Sequence, residues 1–318
     1  MSEIRREKKG DRLEITPDID AALQYLSALN ADRRRELYKF AYPSRNIWKE
    51  IVAELKLRGD LQGTESILDI GTGTGVFIEE LLASNHRGAI IGADLYIHQF
   101  QPAHQKLKER AERGELSRGV GFIRTDAQNM IEIPDNHYDV ASSLFLIYHL
   151  SYPAQHILEI SRVVKPGGLF VVSTRDPDNL FNLWHYAGEA AGAIGAKQHE
   201  PFYRQCDIET TKNLLYPFED IYSDTQDSEL LVPLDINPGD RRGLSMYRDA
   251  FLSLSDSLID STTGQPIDEN KIRDVEAYFE NQIAPELEAF SVINLDPYGR
   301  PSIQDRVHQA YFICRNIK

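Results

Sequence analysis

Between residues 63 and 175 short apolar runs alternate with longer stretches of helical periodicity. The runs are SILDIG (66–71), AIIGAD (89–94), VGFIRTD (120–126), YDVASSLFL (138–146) and GLFVVST (168–174). They are dense in Ile, Val, Leu and Phe, as strands buried on both faces require. Val76–Ala83, Gln99–Arg113 and Pro153–Val163 lie between them and read as crossover helices. Strand and helix in regular succession predict a doubly wound α/β unit with a mostly parallel sheet.

The flanks carry a different pattern. Residues 1–17 are a polar arm, and from Asp18 to Leu57 apolar positions such as Leu26, Leu37, Ile47, Trp48, Ile51 and Leu55 recur at helical spacing, punctuated by Pro43. Residues 176–215 read as mainly helical, Tyr216–Val232 as a strand with its lead-in, Leu244–Leu258 and Glu269–Phe290 as helices, and VHQAYFICRN (307–316) as a final strand. The expected organisation is an N-terminal arm with helices (1–60), a core (61–235), a helical insert roofing the site (236–304) and a last core strand (305–318).

The first run leads into Gly71-Thr72-Gly73-Thr74-Gly75 and then a helix. A strand, a glycine turn and a helix bring backbone amides close to a ligand with few side-chain atoms in the way. Asp69 sits at the strand's end, Asp94 ends the second strand and Asp126 the third. A carboxylate at the second strand suits a ribose diol, and an acceptor at the third suits the exocyclic amine of adenine. Helix capping is the plainer role for any one of these aspartates, but three on successive strand ends point to an adenosine. A dinucleotide fold wants a small residue where this chain has Val76, and a P-loop wants Gly-Lys-Ser/Thr, which is missing.

These segments, ILDIGTGTG, GADLY, RTDAQ, YDVASSLFLIYHL and RVVKPGGLFVVSTR, resemble the class I S-adenosylmethionine-dependent methyltransferases over about residues 60–176. The resemblance implies a seven-stranded sheet with a reversed final hairpin and the long insert between its last two strands. It also implies S-adenosylmethionine as cofactor. Asp69, Gly71, Thr72 and Gly73 would meet the methionine moiety, Asp94 the ribose, and Leu95 or Tyr96 the adenine face. Asp126 and the backbone of Ala127 would read the adenine edge, and Ser142 and Ser143 would lie near the methionine end.

Methyl transfer needs alignment and exclusion of water, with a general base where the acceptor is a hydroxyl or an acidic carbon. His149 follows the fourth strand and is the candidate base, with Tyr148 and then His185 behind it. Tyr38, Phe40, Tyr42, Trp48, Trp184, Tyr186, Phe202, Tyr203, Tyr247 and Phe251 suggest an apolar acceptor chamber.

The formal net charge of −14 argues against a nucleic-acid substrate and mildly favours a neutral or cationic acceptor. The basic runs Arg5–Lys9 and Arg33–Arg35 read as a solvated tail and a polar helix face. The two cysteines, Cys206 and Cys314, belong to no metal or disulfide pattern, so no metal is expected. No apolar leader or membrane-length stretch stands out, so a cytoplasmic protein is expected. The expected activity is methylation of a small organic acceptor, at oxygen before nitrogen or carbon. A tRNA or protein methyltransferase, an NAD-dependent oxidoreductase and a non-catalytic binding module are the alternatives. Self-association stays open.

Overall fold

The computed structural model describes residues 28–113, 119–198, 206–237, 239–255 and 258–317. The polar arm, the basic run Arg5–Lys9, the opening of the first predicted helix, and Phe202 and Tyr203 lie outside the described residues. The strands are β1 (Ala41–Tyr42), β2 (Ile67–Ile70), β3 (Ile90–Asp94), β4 (Val120–Arg124), β5 (Tyr138–Leu144), β6 (Val164–Arg175), β7 (Ala196–Gln198), β8 (Phe218–Pro233), β9 (Leu258–Asp260) and β10 (Ser302–Asn316). The helices are α1 (Ala28–Leu37), α2 (Ile47–Leu57), α3 (Val76–Ala83), α4 (Ile97–Glu112), α5 (Pro153–Val163), α6 (Phe181–Ala193), α7 (Ile208–Leu214), α8 (Arg242–Leu252), α9 (Glu269–Tyr278) and α10 (Ala284–Ser291).

The main sheet runs β1-β8-β10-β6-β5-β2-β3-β4. β4, β3, β2, β5 and β6 are mutually parallel, while β10 is antiparallel to both β6 and β8. This is the expected seven-stranded α/β sheet with its reversed strand. The chain adds one short strand to it, because Ala41 and Tyr42 pair with Leu230 and Glu229 on the outer edge of β8. The order of connection reverses between β2 and β5, and in a wound sheet the crevice at the carboxyl ends of two such strands is where ligands bind.

Apolar clusters cover both faces. Ile51, Val52 and Leu55 of α2 and Ile78 and Leu81 of α3 pack with Ile67, Val171 and Ile313 on one side. Ile157, Ile160 and Val163 of α5 pack with Leu68, Ile70 and Phe170 on the other. The Lys165-Pro166-Gly167-Gly168 segment bulges at the start of β6. Its pairing with β5 jumps from Tyr138↔Val164 to Val140↔Leu169, with Gly167 at φ +72°.

The insert differs from expectation in two places. The predicted helix over Leu244–Leu258 stops at Leu252, where Ser253 Oγ donates to Ala250 O (2.5 Å) and Ser255 Oγ to Leu252 O (2.6 Å). Hydroxyls that take up the last carbonyls compete with further helix. Leu258–Asp260 then forms β9, which pairs with β7 in a small separate sheet, so the stretch 176–215 is not helical throughout.

The insert shares a third core with α1, α6 and the ends of β8 and β10, built around Leu183, Tyr247, Phe251, Phe279, Ile283, Val232 and Ile303. Asp305 of β10, buried to 5% exposure, accepts from the amides of Asn182 (3.2 Å) and Leu183 (3.0 Å) at the start of α6 and from Tyr247 Oη of α8 (3.2 Å). One carboxylate thus fixes two helices to the sheet. Gly243 sets how closely α8 approaches, since a Cβ there would lie 1.6 Å from Pro233 O. Gly243→Ala is expected to cost at least about 2 kcal/mol of stability, because backbone rather than a flexible side chain must move. Chemical denaturation checks this, and an unchanged midpoint would contradict it.

Candidate functional site

The turn after β2 is left-handed at all three glycines: Gly71, Gly73 and Gly75 have φ of +68°, +50° and +76°. At Gly71 a Cβ would also meet Leu146 Cδ2 at 2.9 Å, so the loop lies directly against the segment that leaves β5. Side chains at this position are excluded by both strain and space.

Asp69 is 3% exposed and receives Ser142 Oγ on Oδ1 and Thr72 Oγ1 on Oδ2, each at 2.7 Å. Burial pushes its carboxyl up to about 6, the nearby Asp94 adds to the rise, and the two hydroxyls oppose it. Asp94 accepts from Gly73 N (3.1 Å) and Tyr96 N (3.0 Å). Asp69, Thr72, Gly73, Asp94 and Ser142 therefore form one connected network across β2, β3 and β5. Leu95 is half-buried beside it, and its carbonyl accepts from Arg124 Nε (3.1 Å).

Asp126 lies next to this network, since Thr125 N donates to Asp94 O (3.2 Å). Its Oδ1 accepts from Gln128 N at 2.8 Å, so Asp126 supports its own turn and caps no helix.

Ser143 parts from Ser142. Neighbours on a strand face opposite sides of the sheet, and Ser143 meets the fully buried His156 of α5 at 2.9 Å (Oγ···Nε2). His156 Nδ1 lies 2.9 Å from Ala127 O. A carbonyl only accepts, so Nδ1 carries the proton and Nε2 accepts from the serine hydroxyl. Burial holds this imidazole down to about 4, so it stays neutral. Sequence reasoning missed His156. Its only signal was a histidine on the apolar face of a helix, and it joins the end of β5 to the loop after β4.

On the other side of the switch point stand Phe145, Tyr148, His149 and Arg175. The Arg175 guanidinium lies 4.6 Å from the ring centroid of Phe145, 5.5 Å from that of Tyr38 and 5.9 Å from that of Tyr148. Phe145 meets Trp48 edge to face at 5.5 Å, and Arg35 sits 5.8 Å over Trp48 while reaching Thr74 Oγ1 of the glycine loop at 3.5 Å. Arg34 donates to Ser253 Oγ (3.0 Å) and Ser253 O (3.2 Å) of the insert. Arg34 and Arg35 are thus half-buried rather than on a solvated face.

His149 packs on Tyr148 at 4.3 Å. Enclosure first, then the charges of Arg175 and Arg34, hold it down to about 3. It is neutral at physiological pH. Tyr148 is pushed up to about 12 by burial and remains a phenol.

The predicted chamber aromatics divide. Tyr38 and Trp48 stand at the site, Tyr247 and Phe251 are fully buried in the third core, and Tyr42 is 60% exposed on β1. His185 is exposed on α6, 3.6 Å from Glu189. Where no metal was expected, Asp176, Asp178 and His308 bring ligand-type atoms within 4.8 Å of one another, with Asp178 also paired to Arg306.

Because His156 braces both Ser143 and Ala127, His156→Ala is expected to cost about 2–3 kcal/mol, from two lost hydrogen bonds and their stranded partners. A thermal shift checks this, and an unchanged transition would contradict the brace.

Residues 68–172 match the family described as Methyltransferase domain. The chain is 31% identical over 130 residues to malonyl-[acyl-carrier protein] O-methyltransferase of Paenibacillus sp. (strain JDR-2), covering 41% of this chain and 45% of that one. It is 27% identical over 127 residues to the ubiquinone/menaquinone biosynthesis C-methyltransferase of Pseudomonas paraeruginosa, covering 40% and 46%. The matched region thus spans about half the length of these curated relatives. Among solved structures, the YcgJ protein from Bacillus subtilis shares the fold at a TM-score of 0.50 and 14% identity, covering 84% of this chain and 98% of that one. No helix among the described residues is long and apolar enough to cross a membrane. Residues 68–172 are a methyltransferase domain of the class I, S-adenosylmethionine-dependent family.

Proposed function

We propose that the protein is an S-adenosylmethionine-dependent methyltransferase acting on a small organic acceptor, at oxygen in preference to nitrogen or carbon. The observation that carries this reading is the buried Asp69, tied to the glycine turn by Thr72 and to β5 by Ser142. A carboxylate withdrawn from water and raised toward 6 is short of a cationic partner, and the ammonium of the methionine moiety is one. The residue set fits the rest of the cofactor: a glycine turn at Gly71 and Gly73 that lets the ligand approach the backbone closely, Asp94 for the ribose, Leu95 beside the adenine, and Asp126 with the Ala127 backbone at its edge. When bound, S-adenosylmethionine supplies a methyl group on a sulfonium, from which a neutral thioether departs.

The protein's own residues then have three tasks. Asp69 and Asp94 orient the cofactor at its two ends, with Ser142 holding Asp69 in place. Tyr38, Trp48, Phe145 and Tyr148 line the β5 side, where they pack on Arg175 and Arg35. His149, neutral at physiological pH, is our candidate to take the acceptor's proton. Tyr148, kept as a phenol, donates rather than accepts. Arg34 and Arg35 are engaged with the insert and the glycine loop, which supports a small acceptor over a polyanionic tRNA.

Two outcomes are expected. Asp94→Ala should weaken S-adenosylhomocysteine binding by about 10- to 100-fold, the loss of charge-assisted hydrogen bonds. Equal affinities for the variant and the wild type in calorimetry would remove Asp94 from the site. The second concerns pH. The Asp69 carboxyl titrates near 6 before binding, and an ammonium partner favours its ionised form, so the complex titrates lower. Binding below pH 6 therefore releases a proton. Affinity should rise with pH up to about 6, by at most about tenfold per unit, and level off above. A flat profile between pH 5 and 7 would contradict the contact.

A further inference from the structure

β4 lies at the edge of the main sheet, so the loop that follows it has strand neighbours on one side only. Side chains and one amide of the α5 segment hold that loop instead. His156 Nδ1 donates to Ala127 O (2.9 Å), and Glu159 Oε2 accepts from Met130 N (2.8 Å). Arg162 donates to Met130 O (2.9 Å) and Ile133 O (2.8 Å). Gln128 adds a further tie, accepting on Oε1 from the backbone N–H of Tyr152 at 2.6 Å. Of these residues, Gln128 is the one that also touches Asp126.

The Tyr152 contact fixes which way the Gln128 amide faces. A backbone N–H can only donate, so the side-chain oxygen meets Tyr152 and the side-chain nitrogen is left for an acceptor. That nitrogen reaches Asp126 Oδ1 at 3.4 Å, and the Gln128 backbone N–H donates to the same oxygen at 2.8 Å. Both bonds fall on Oδ1, and no described residue bonds to Oδ2. A carboxylate held by one oxygen has the other left for an incoming donor. Asp126 and Gln128 are both half-buried, so the pair is reachable by a ligand.

Resting on the methyltransferase reading above, we propose that Gln128 is a positioning residue for recognition of the cofactor's base. It holds Asp126 by Oδ1 so that Oδ2 accepts from the exocyclic amine of adenine. A carboxylate cannot donate, so a base with a carbonyl in place of that amine would set two acceptors against each other. A site built to bond one polar group discriminates strongly against an analogue that leaves it unpaired. Gln128 sets that discrimination by acting through Asp126, with its own amide held in turn by Tyr152. Tyr152 caps α5, which follows the turn bearing Tyr148 and His149. One side chain therefore ties the adenine end of the crevice to the segment that leaves β5.

The experiment is calorimetry on the full chain with S-adenosylhomocysteine and with S-inosylhomocysteine, which carries a carbonyl where adenine carries the amine. Wild type is expected to bind the adenosyl ligand about 10- to 100-fold more tightly. Gln128→Met fills similar space without polar atoms. It should narrow that ratio by about three- to tenfold, through weaker binding of the adenosyl ligand alone. A role confined to bracing the fold would weaken both ligands in step and leave the ratio as it was. If Gln128→Met does not fold, Gln128→Asn serves instead. Its amide is one methylene too short to span Tyr152 and Asp126, so the ratio should narrow again.

An unchanged ratio in the variants, or both affinities falling together, would overturn the proposal alone. Equal affinities of wild type for the two ligands would overturn it together with the adenine contact of Asp126, and would leave the methyltransferase reading standing. Failure of wild type to bind S-adenosylhomocysteine would sink that reading and this proposal with it.

Discussion

A carboxylate buried where a parallel sheet changes direction is costly, and the site is built around that cost. Asp69 sits at the end of β2 with almost no exposure and two hydroxyls as its partners. Those bonds offset only part of the desolvation, which is why its acidity stays weakened. The glycine turn must come close enough for Thr72 to reach back, which in turn requires left-handed backbone at Gly71 and Gly73. The loop then stands against Leu146, so the segment after β5 is positioned by the same turn. On the proposed function, a binding surface for cofactor and a wall for the acceptor follow from this one constraint.

The rest of the molecule supports that geometry from both sides. Beneath the sheet, a neutral histidine joins the end of β5 to the loop after β4. Above it, α1 and the turn after it bring Arg34 to the insert at Ser253, Arg35 to the glycine loop at Thr74 and Tyr38 to Arg175, and the insert is anchored to β10 through Asp305 and Tyr247. The result is a crevice with Asp69, Asp94 and Asp126 along β2, β3 and β4 and with Arg175 and its aromatic neighbours at the end of β6.

Much of the core was legible because strand and helix periodicities there are clean. Val76–Ala83 and Pro153–Val163 emerged with the predicted bounds, since apolar spacing, a glycine turn and an initial proline mark their ends unambiguously. The aspartates at strand ends were legible for the same reason, as strand ends locate the crevice. What failed to show were features set by distant partners. Ser142 and Ser143 look alike in sequence but face opposite sides of the sheet. His156 reveals its role only once Ala127 and Ser143 are seen around it. The Arg33–Arg35 run reads as a solvated face, yet Trp48, Thr74 and Ser253 draw two of its members inward. The end of α8 depended on two serines folding back on carbonyls, a choice that helix periodicity does not register.

The most direct test of the central claim is a crystal structure of the protein grown with S-adenosylhomocysteine. The account predicts the ligand's amino group beside Asp69 and the glycine turn, its ribose hydroxyls on Asp94 and its adenine edge at Asp126. A ligand lodged elsewhere, or an Asp69 still closed upon Thr72 and Ser142 with nothing cationic near it, would contradict the account.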